Sequence, residues 1–408
     1  MKPLHTYFVG TGSWYFAYGI QTVTFAWLVT IVLNESPDRV GFAQMFFLAP
    51  AMVLMLLGGS LADHFGGSII AFYGQIAAAA APIFLTIMMV TDHFTYSSIL
   101  IFAVMMGCAQ SLVTPARDGL LALVADGRIQ RRVVQASMVQ FSIQMLGFMM
   151  ASFADKTGAI AILLVQSASL ALGAIAFHRL RVPHTPPVNS GNLSPFKQVA
   201  SSIKEGFYSV KASPSMRIVV IQNCAMGIFF MGSYVVTLPL IVRELYQGSS
   251  QELAGMNAAN AFGLVITIFI LLRIGDIHRQ GRALLIAQGV GSIALASGGL
   301  GLGYYPLVLS VFCWGLCGGL AMTMSRTIMQ EQAPADQRSR MMAFFSFSFM
   351  GSGPIGAIFC GYLVVWFGPA LALVIASILM LLVVVMISLT SQLWNMNTRD
   401  QRIDQGPV

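Results

Sequence analysis

The chain has 408 residues, of which 57% are hydrophobic and only 9% are charged, and its formal net charge is +7. A mean hydropathy of +0.77 excludes a soluble globular protein. The basic excess does not indicate nucleic-acid binding, because the Lys and Arg residues are spread over short loops, where they are typical of membrane-protein topology.

Twelve apolar stretches are long enough to cross a bilayer as helices, which takes about 18 or more apolar residues. Backbone groups in lipid must bond within their own segment, so each stretch predicts a transmembrane helix. The predicted spans of the first half are Thr6–Leu33, Gly41–Leu61, Ile69–Val90, Ser97–Ala116, Val133–Phe153 and Gly158–Phe177. Those of the second half are Ile218–Val242, Ala254–Leu272, Ala283–Gly303, Leu307–Met324, Met341–Val365 and Ala370–Thr390.

The middle of every span lacks ionisable residues, although such residues usually mark ion pathways and proton relays. All acidic residues and histidines fall in loops, tails or span ends. We therefore expect either that transport follows the solute gradient or that a carboxylate at a span end couples it to protons. The candidates are Asp118, beside Arg117 at the inner end of span four, and Asp155, at the outer end of span five.

The longest polar segment separates the two sets of six spans. It contains Pro183, Pro186, Pro187 and Gly191, which are typical of a linker, and then a predicted surface helix from Phe196 to Val210. The expected organisation is a six-helix half at 1–177, a linker at 178–217, a second half at 218–392 and a tail at 393–408.

Basic residues predict the orientation. Of the 22 Lys and Arg residues, only Arg39, Lys156 and Arg243 fall on the predicted outer side. The positive-inside rule therefore places both termini and the linker in the cytoplasm of a bacterial inner-membrane protein.

The two halves resemble each other. Arg117 and Arg131 follow span four with the same spacing at which Arg326 and Arg340 follow span ten. Such six-plus-six duplication is common in secondary transporters, which bind solute between their halves.

The stretch from Gly59 to Gly66, GSLADHFG, resembles the loop 2–3 signature of the major facilitator superfamily. Gly275-Asp276 followed by Gly281-Arg282 resembles a diverged second copy. The resemblance implies an all-α membrane protein with 12 transmembrane helices in two six-helix halves, and alternating access controlled by carboxylates at cytoplasmic helix ends. The expected gating residues are Asp63, Gly66, Arg117, Asp276, Arg282, Arg326, Arg340, Gly353 and Pro354.

A narrower resemblance is to the bacterial exporters that include the enterobactin exporter. Its motifs are Pro115-Ala116-Arg117, the segment from Gln330 to Arg340, and the glycine-rich run from Gly351 to Gly356. The chain departs from proton-coupled drug antiporters at Gly147-Phe148, where they usually have Gly-Pro, and it lacks their arginine before Gly107.

In the resembled fold, spans one, four, seven and ten line the cavity. The aromatic and polar residues of these spans predict a neutral, aromatic-rich site with hydrogen-bonding groups. A role in holding helices together is an equally good interpretation of any single amide. The candidate cavity residues are Trp14, Tyr18, Gln21, Gln110, Gln222, Asn223, Tyr234 and Trp314.

The leading hypothesis is a transporter that exports a small organic solute, such as a siderophore-like or amphiphilic compound. Uptake of the same solutes, flipping of lysophospholipids and a non-transporting receptor remain alternatives. Expected partners are the solute and membrane lipids, without nucleic acid, and the expected state is a monomer. We expect no enzyme activity, metal or cofactor, since the sequence has no nucleophile–base pair, metal-ligand cluster or phosphate-binding loop.

Overall fold

The computed structural model describes residues 3–124, 129–180, 213–274, 277–332 and 338–395, together with Val182, Tyr208 and Lys211. Every regular element in these ranges is helical. The chain forms two compact units. The first consists of Met1–Ser201 and Gln247–Asn257, and the second of Ser202–Tyr246 and Ala258–Val408.

Seven α-helices are formed by the described residues among the first 201. They are α1 (Pro3–Trp27), α2 (Pro37–Phe65), α3 (Gly67–Val90), α4 (Tyr96–Val124), α5 (Ile129–Ala151), the short α6 (Ala154–Thr157) and α7 (Ala159–Arg179). A π-helical turn, Leu28–Val32, extends α1. Gly66 separates α2 from α3 at a φ of 97°, a conformation that glycine adopts without strain.

Six further α-helices lie in the described ranges from residue 213 onward. They are α8 (Pro214–Ala225), α9 (Leu238–Glu244), α10 (Ser250–Ile274), α11 (Gln280–Gly298), α12 (Tyr304–Gln332) and α13 (Arg338–Thr390). Two π-helical turns, Met226–Met231 and Ser233–Thr237, join α8 to α9 into one continuous helical span. Helix α13 consists of two helices that meet at Gly368, where φ is 75°.

Each of the twelve predicted spans falls on a described helix, which agrees with the all-α membrane class. Among the described residues, nine helical segments are long and apolar enough to cross a membrane, and one of them, Phe344–Thr390, covers nearly all of the last two predicted spans. The two predicted spans outside this set lie on α5 and α11. The first turns of α5 carry Arg131 and Arg132, which make that helix less apolar.

Matching glutamines support the internal duplication. In the first unit, Gln75 on α3 donates to the carbonyl of Gly10 on α1 at 3.1 Å. In the second unit, Gln222 on α8 donates to Gln288 on α11. Gln75 and Gln288 therefore both connect the third long helix of a half to its first, and they keep the same offset along the chain as the loop carboxylates Asp63 and Asp276.

Candidate functional site

A buried arginine, Arg117, lies on α4 in the first unit. Arg117 is only 3% exposed, and its Cζ lies 4.5 Å from the centroid of the Tyr15 ring on α1. Its Nη2 donates to Asp118 Oδ1 at 3.2 Å, but that carboxylate is largely in solvent, with 66% of its side chain exposed. Arg117 Nη1 is buried and has no hydrogen-bond partner among the described residues. The site therefore offers a cation stacked on an aromatic ring and one spare donor.

The packing of α4 explains why Arg117 points inward. The helix continues to Val124, beyond the predicted end of span four at Ala116, so Arg117 and Asp118 lie within a helix. Ala116 and Leu120 are buried in a cluster with Tyr7 and Phe177. Arg117 lies one helical turn before Leu120 and one turn after the buried Val113, so its side chain is on the buried face of α4, whereas Asp118 faces out.

Three predicted cavity amides have partners within their own unit. Gln21 on α1 accepts from Gln166 Nε2 at 2.7 Å, and Gln222 donates to Gln288. Asn223 Nδ2 donates to the carbonyl of Phe345 at 2.9 Å and to Ser348 Oγ at 2.8 Å. These bonds hold helices together, and a role in solute binding stays a prediction for all three residues.

An aromatic cluster surrounds Trp314 in the second unit. Its ring centroid lies 5.6 Å from that of Phe230 and 5.9 Å from that of Tyr234. Phe230 and Tyr234 belong to the two π-helical turns, which often occur at functional sites. Trp314 Nε1 is buried and has no hydrogen-bond partner within the part of the chain that the structure describes. This cluster therefore combines aromatic surface with a spare donor.

The other predicted cavity residues lie on the expected helices. Trp14 is buried at 3% exposure, while Tyr18 and Gln110 are half-buried.

The predicted gating residues lie in several environments. Arg282 stacks over the Trp394 ring at 5.0 Å, and Arg326 is exposed. Gly353 and Pro354 are buried within α13. Asp276 and the side chains of Asp63 and Arg340 lie outside the described residues. The gating role stays a prediction for every one of these residues.

Sequence reasoning missed the partners of Asp155. Trp27 Nε1 donates to Asp155 Oδ1 at 2.8 Å, and the backbone N–H of Ser250 donates to Oδ2 at 2.7 Å. Both partners are far from Asp155 in sequence and belong to the same compact unit. The sequence carries no signal for these contacts. It shows that Asp155 lies at the end of a span, but not which distant residues donate hydrogen bonds to its carboxylate.

A groove of about 910 Å³ runs along α1, between α5 and α7. It is mostly apolar, and its polar side chains are His5, Ser13, Ser142 and Ser169. The remaining lining residues are Phe8, Val9, Gly12, Phe16, Met138, Val139 and Ile143. Such a surface suits an acyl chain or another apolar group. Among the described residues, no group of His, Cys, Asp and Glu could hold a metal ion.

Comparison with known proteins identifies relatives of the whole chain. The model of a major facilitator family described as transmembrane secretion effector matches residues 6–405. An uncharacterised major facilitator-type transporter of Bacillus subtilis (strain 168), YfiS, is 24% identical over 387 residues, which cover 91% of this chain and 88% of that protein.

Solved structures share the fold at low identity. A mutant of the nucleoside transporter NupG has a TM-score of 0.74 and 13% identity, covering 95% of this chain and 99% of that one. A POT family transporter in complex with 5-aminolevulinic acid also has a TM-score of 0.74 and 13% identity, covering 95% and 96%. A bacterial homologue of the lysosomal transporter Spinster has a TM-score of 0.69 and 13% identity, covering 96% and 95%. The predicted major facilitator fold is therefore confirmed.

Proposed function

We propose an export function for this chain, which belongs to the transmembrane secretion effector family of the major facilitator superfamily. It is a membrane transporter of the major facilitator type. The proposed cargo is a small amphiphilic organic solute, siderophore-like in chemistry, that carries an aromatic group and an acidic or hydrogen-bond-accepting group. The chain would move it outward across the bacterial inner membrane by alternating access.

The observation that carries the proposal is the pairing of aromatic rings with spare buried donors. Arg117 offers Nη1 beside Tyr15, and Trp314 offers Nε1 beside Phe230 and Tyr234. A buried donor without a partner is costly, so a bound acceptor would recover that free energy. Solute sites typically combine apolar and aromatic walls with a few such polar groups. A catechol-type compound has both an aromatic ring and acceptor oxygens, and it fits this combination.

The relatives support the solute class and the direction in different ways. NupG is a nucleoside transporter, and a POT family transporter binds 5-aminolevulinic acid. Both proteins share this fold and bind or transport small organic solutes. The description of the family, transmembrane secretion effector, refers to secretion. The motifs around Arg117 and Gly353 resemble those of the enterobactin-exporter subgroup. Both points favour export over uptake.

One observation favours a second candidate function. The apolar groove along α1 could accept the acyl chain of a lysophospholipid, with His5 near one end of the helix. Flipping of such lipids is therefore the alternative that the experiment must distinguish.

Binding to the purified full chain tests the cargo class. Three radiolabelled probes would be compared: enterobactin, tetraphenylphosphonium as a lipophilic cation, and a lysophosphatidylethanolamine. We expect enterobactin to bind best and Trp314→Ala to weaken it by about 10-fold or more, as expected for an aromatic contact and a hydrogen bond lost together. Trp366→Ala is the matched control, because Trp366 is 68% exposed on α13. Tight lysophospholipid binding without enterobactin binding would favour the flippase and contradict the proposal.

A further inference from the structure

Asp155 lies at the centre of a hydrogen-bond network in the first unit. Its carboxylate accepts from Trp27 Nε1 at 2.8 Å and from the backbone N–H of Ser250 at 2.7 Å. Its own N–H donates to Ser250 Oγ at 3.4 Å, and that hydroxyl donates to the carbonyl of Ser152 at 3.1 Å. We call these four residues, Trp27, Ser152, Asp155 and Ser250, the Asp155 latch.

The latch connects three elements that are distant in sequence. Trp27 is the last residue of α1, Ser152 and Asp155 flank the start of α6, and Ser250 is the first residue of α10. A carboxylate at a helix N-terminus is favoured by the helix dipole and by charge-assisted bonds to free N–H groups. Trp27 is 6% exposed and Ser250 is fully buried, so these bonds lie largely away from water.

Helix α10 is divided between the two compact units. Residues up to Asn257 belong to the first unit, whereas the helix from Ala258 onward belongs to the second. A contact that holds the first turn of α10 therefore acts on a helix whose remaining residues belong to the second unit.

A second carboxylate stabilises the turn itself. Glu252 accepts from the backbone N–H of Ser249 at 2.7 Å and from Ser249 Oγ at 2.5 Å, all within one helical turn. These local bonds would persist if α10 moved away from α1. The bonds to Asp155, in contrast, would break, and they are the ones that a conformational change must disrupt.

We propose that Asp155 is a positioning residue of the transport cycle, whose ionised carboxylate holds the first turn of α10 against the end of α1 in one conformation and releases it in the other. The inference rests on the proposed function, because it assigns the latch to alternating access. On the predicted orientation, the latch closes the outer end of the first unit.

The charge of Asp155 is insensitive to ordinary pH in this conformation. Partial burial tends to raise the pKa of the carboxyl, but the hydrogen bonds from Ser250 and Trp27 outweigh burial and lower it below its usual 3.8. The charged groups beside it are Glu252 on α10, whose charge opposes this lowering, and Lys156, its chain neighbour. A lowered pKa means that the latch is fully present above pH 3.8 and is lost only as the pH falls through the lower folded value.

A buried cysteine provides the readout. Ala254, 4% exposed on α10, would be changed to Cys, and its labelling by a maleimide followed in the purified full chain without solute. Background from the five native cysteines would be subtracted with the unmodified chain. We expect Asp155→Asn to raise the labelling rate by about fivefold, the factor for about 1 kcal/mol of lost bonding. Trp27→Phe should raise it less, and Lys156→Gln should match the parent.

The outcomes decide the inference separately from the cargo. Because no solute is present, faster labelling in Asp155→Asn supports the latch even if no probe is transported. Labelling equal to the parent in a folded Asp155→Asn variant overturns it. If that variant does not fold, deuterium exchange of the segment 249–254 in Trp27→Phe replaces the readout, and unchanged exchange overturns the inference. Parent labelling that rises at pH 5.5 to the level of Asp155→Asn, after correction for thiolate, would contradict an ionised latch.

Discussion

Gln21 on α1 and Gln166 on α7 are joined by a fully buried hydrogen bond of 2.7 Å between their side-chain amides, across 145 residues of sequence. Each amide still has one buried atom, Gln21 Nε2 or Gln166 Oε1, without a partner among the described residues. The pair therefore connects two helices of the first unit and still has one donor and one acceptor that could form further hydrogen bonds.

A double-mutant cycle tests this pairing. Gln21→Leu or Gln166→Leu alone should destabilise the protein by about 1–3 kcal/mol, because each leaves its partner buried and unsatisfied. The double variant should lose less than the sum, with a coupling of about 0.6–1.7 kcal/mol as for other membrane pairs. Unfolding in mixed micelles measures these free energies. Gln21→Leu combined with Gln288→Leu, from the second unit, is the additive control, and additivity in the Gln21–Gln166 cycle itself would disprove the coupling.

Two glycines set the distance between α1 and α5. A Cβ added to Gly19 would overlap the carbonyl oxygen of Gln144, and one added to Gly147 would overlap that of Phe16. Both overlaps involve backbone, which cannot move aside cheaply. Gly147→Ala should therefore destabilise the protein by about 1–3 kcal/mol, and thermal unfolding of the purified variant measures it.

Gly119 on α4 provides the control for that substitution. A Cβ there would meet nothing within 4 Å, so Gly119→Ala should be neutral or slightly stabilising. Equal melting temperatures for Gly147→Ala and the parent would show that α1 and α5 are less closely packed than the structure indicates.

Arg117 should discriminate solutes by charge. Arg117→Gln removes the cation stacked on Tyr15, so binding of an anionic catechol should weaken by about 10-fold, while a neutral amphiphile should be unaffected. Arg117→Lys keeps the charge but loses the planar group that stacks. Its affinity for the anionic catechol should lie between that of the parent and that of Arg117→Gln. Equilibrium binding of both solutes checks this, with Arg179→Gln as the exposed-arginine control. Equal weakening for both solutes would assign Arg117 a structural role instead.

Much of the fold could be predicted from the sequence, because a helix that crosses a bilayer appears as an apolar stretch of about 18 or more residues. All twelve predicted spans fall on helices, and the predicted break between Val365 and Ala370 contains Gly368, whose φ of 75° ends one helix there. The ninth span was predicted to end at Gly303, but α11 ends at Gly298. The apolar and glycine-rich sequence simply continues past the helix end. The predicted surface helix from Phe196 to Val210 falls almost entirely outside the described residues.

The candidate site was less predictable. Helical periodicity put Trp14, Tyr18 and Gln21 on one face of span one, but it could not reveal that Gln21 bonds to Gln166. Partners of this kind depend on how helices pack, and no local spacing records that. The π-helical turns beside Trp314 were not predicted either, since the extra residue in each turn has no composition signature. The burial of Arg117 was also not predictable, because span four was expected to end at Ala116, whereas α4 continues to Val124.

The direction of solute movement tests the central claim most directly. Membrane vesicles containing the full chain would be prepared in inside-out and right-side-out orientations, and uptake of radiolabelled enterobactin would be measured in each, with Trp314→Ala and Trp366→Ala in parallel. Export predicts accumulation in inside-out vesicles, at a rate that Trp314→Ala reduces and Trp366→Ala does not. Uptake confined to right-side-out vesicles, or binding without flux in either orientation, would contradict the account.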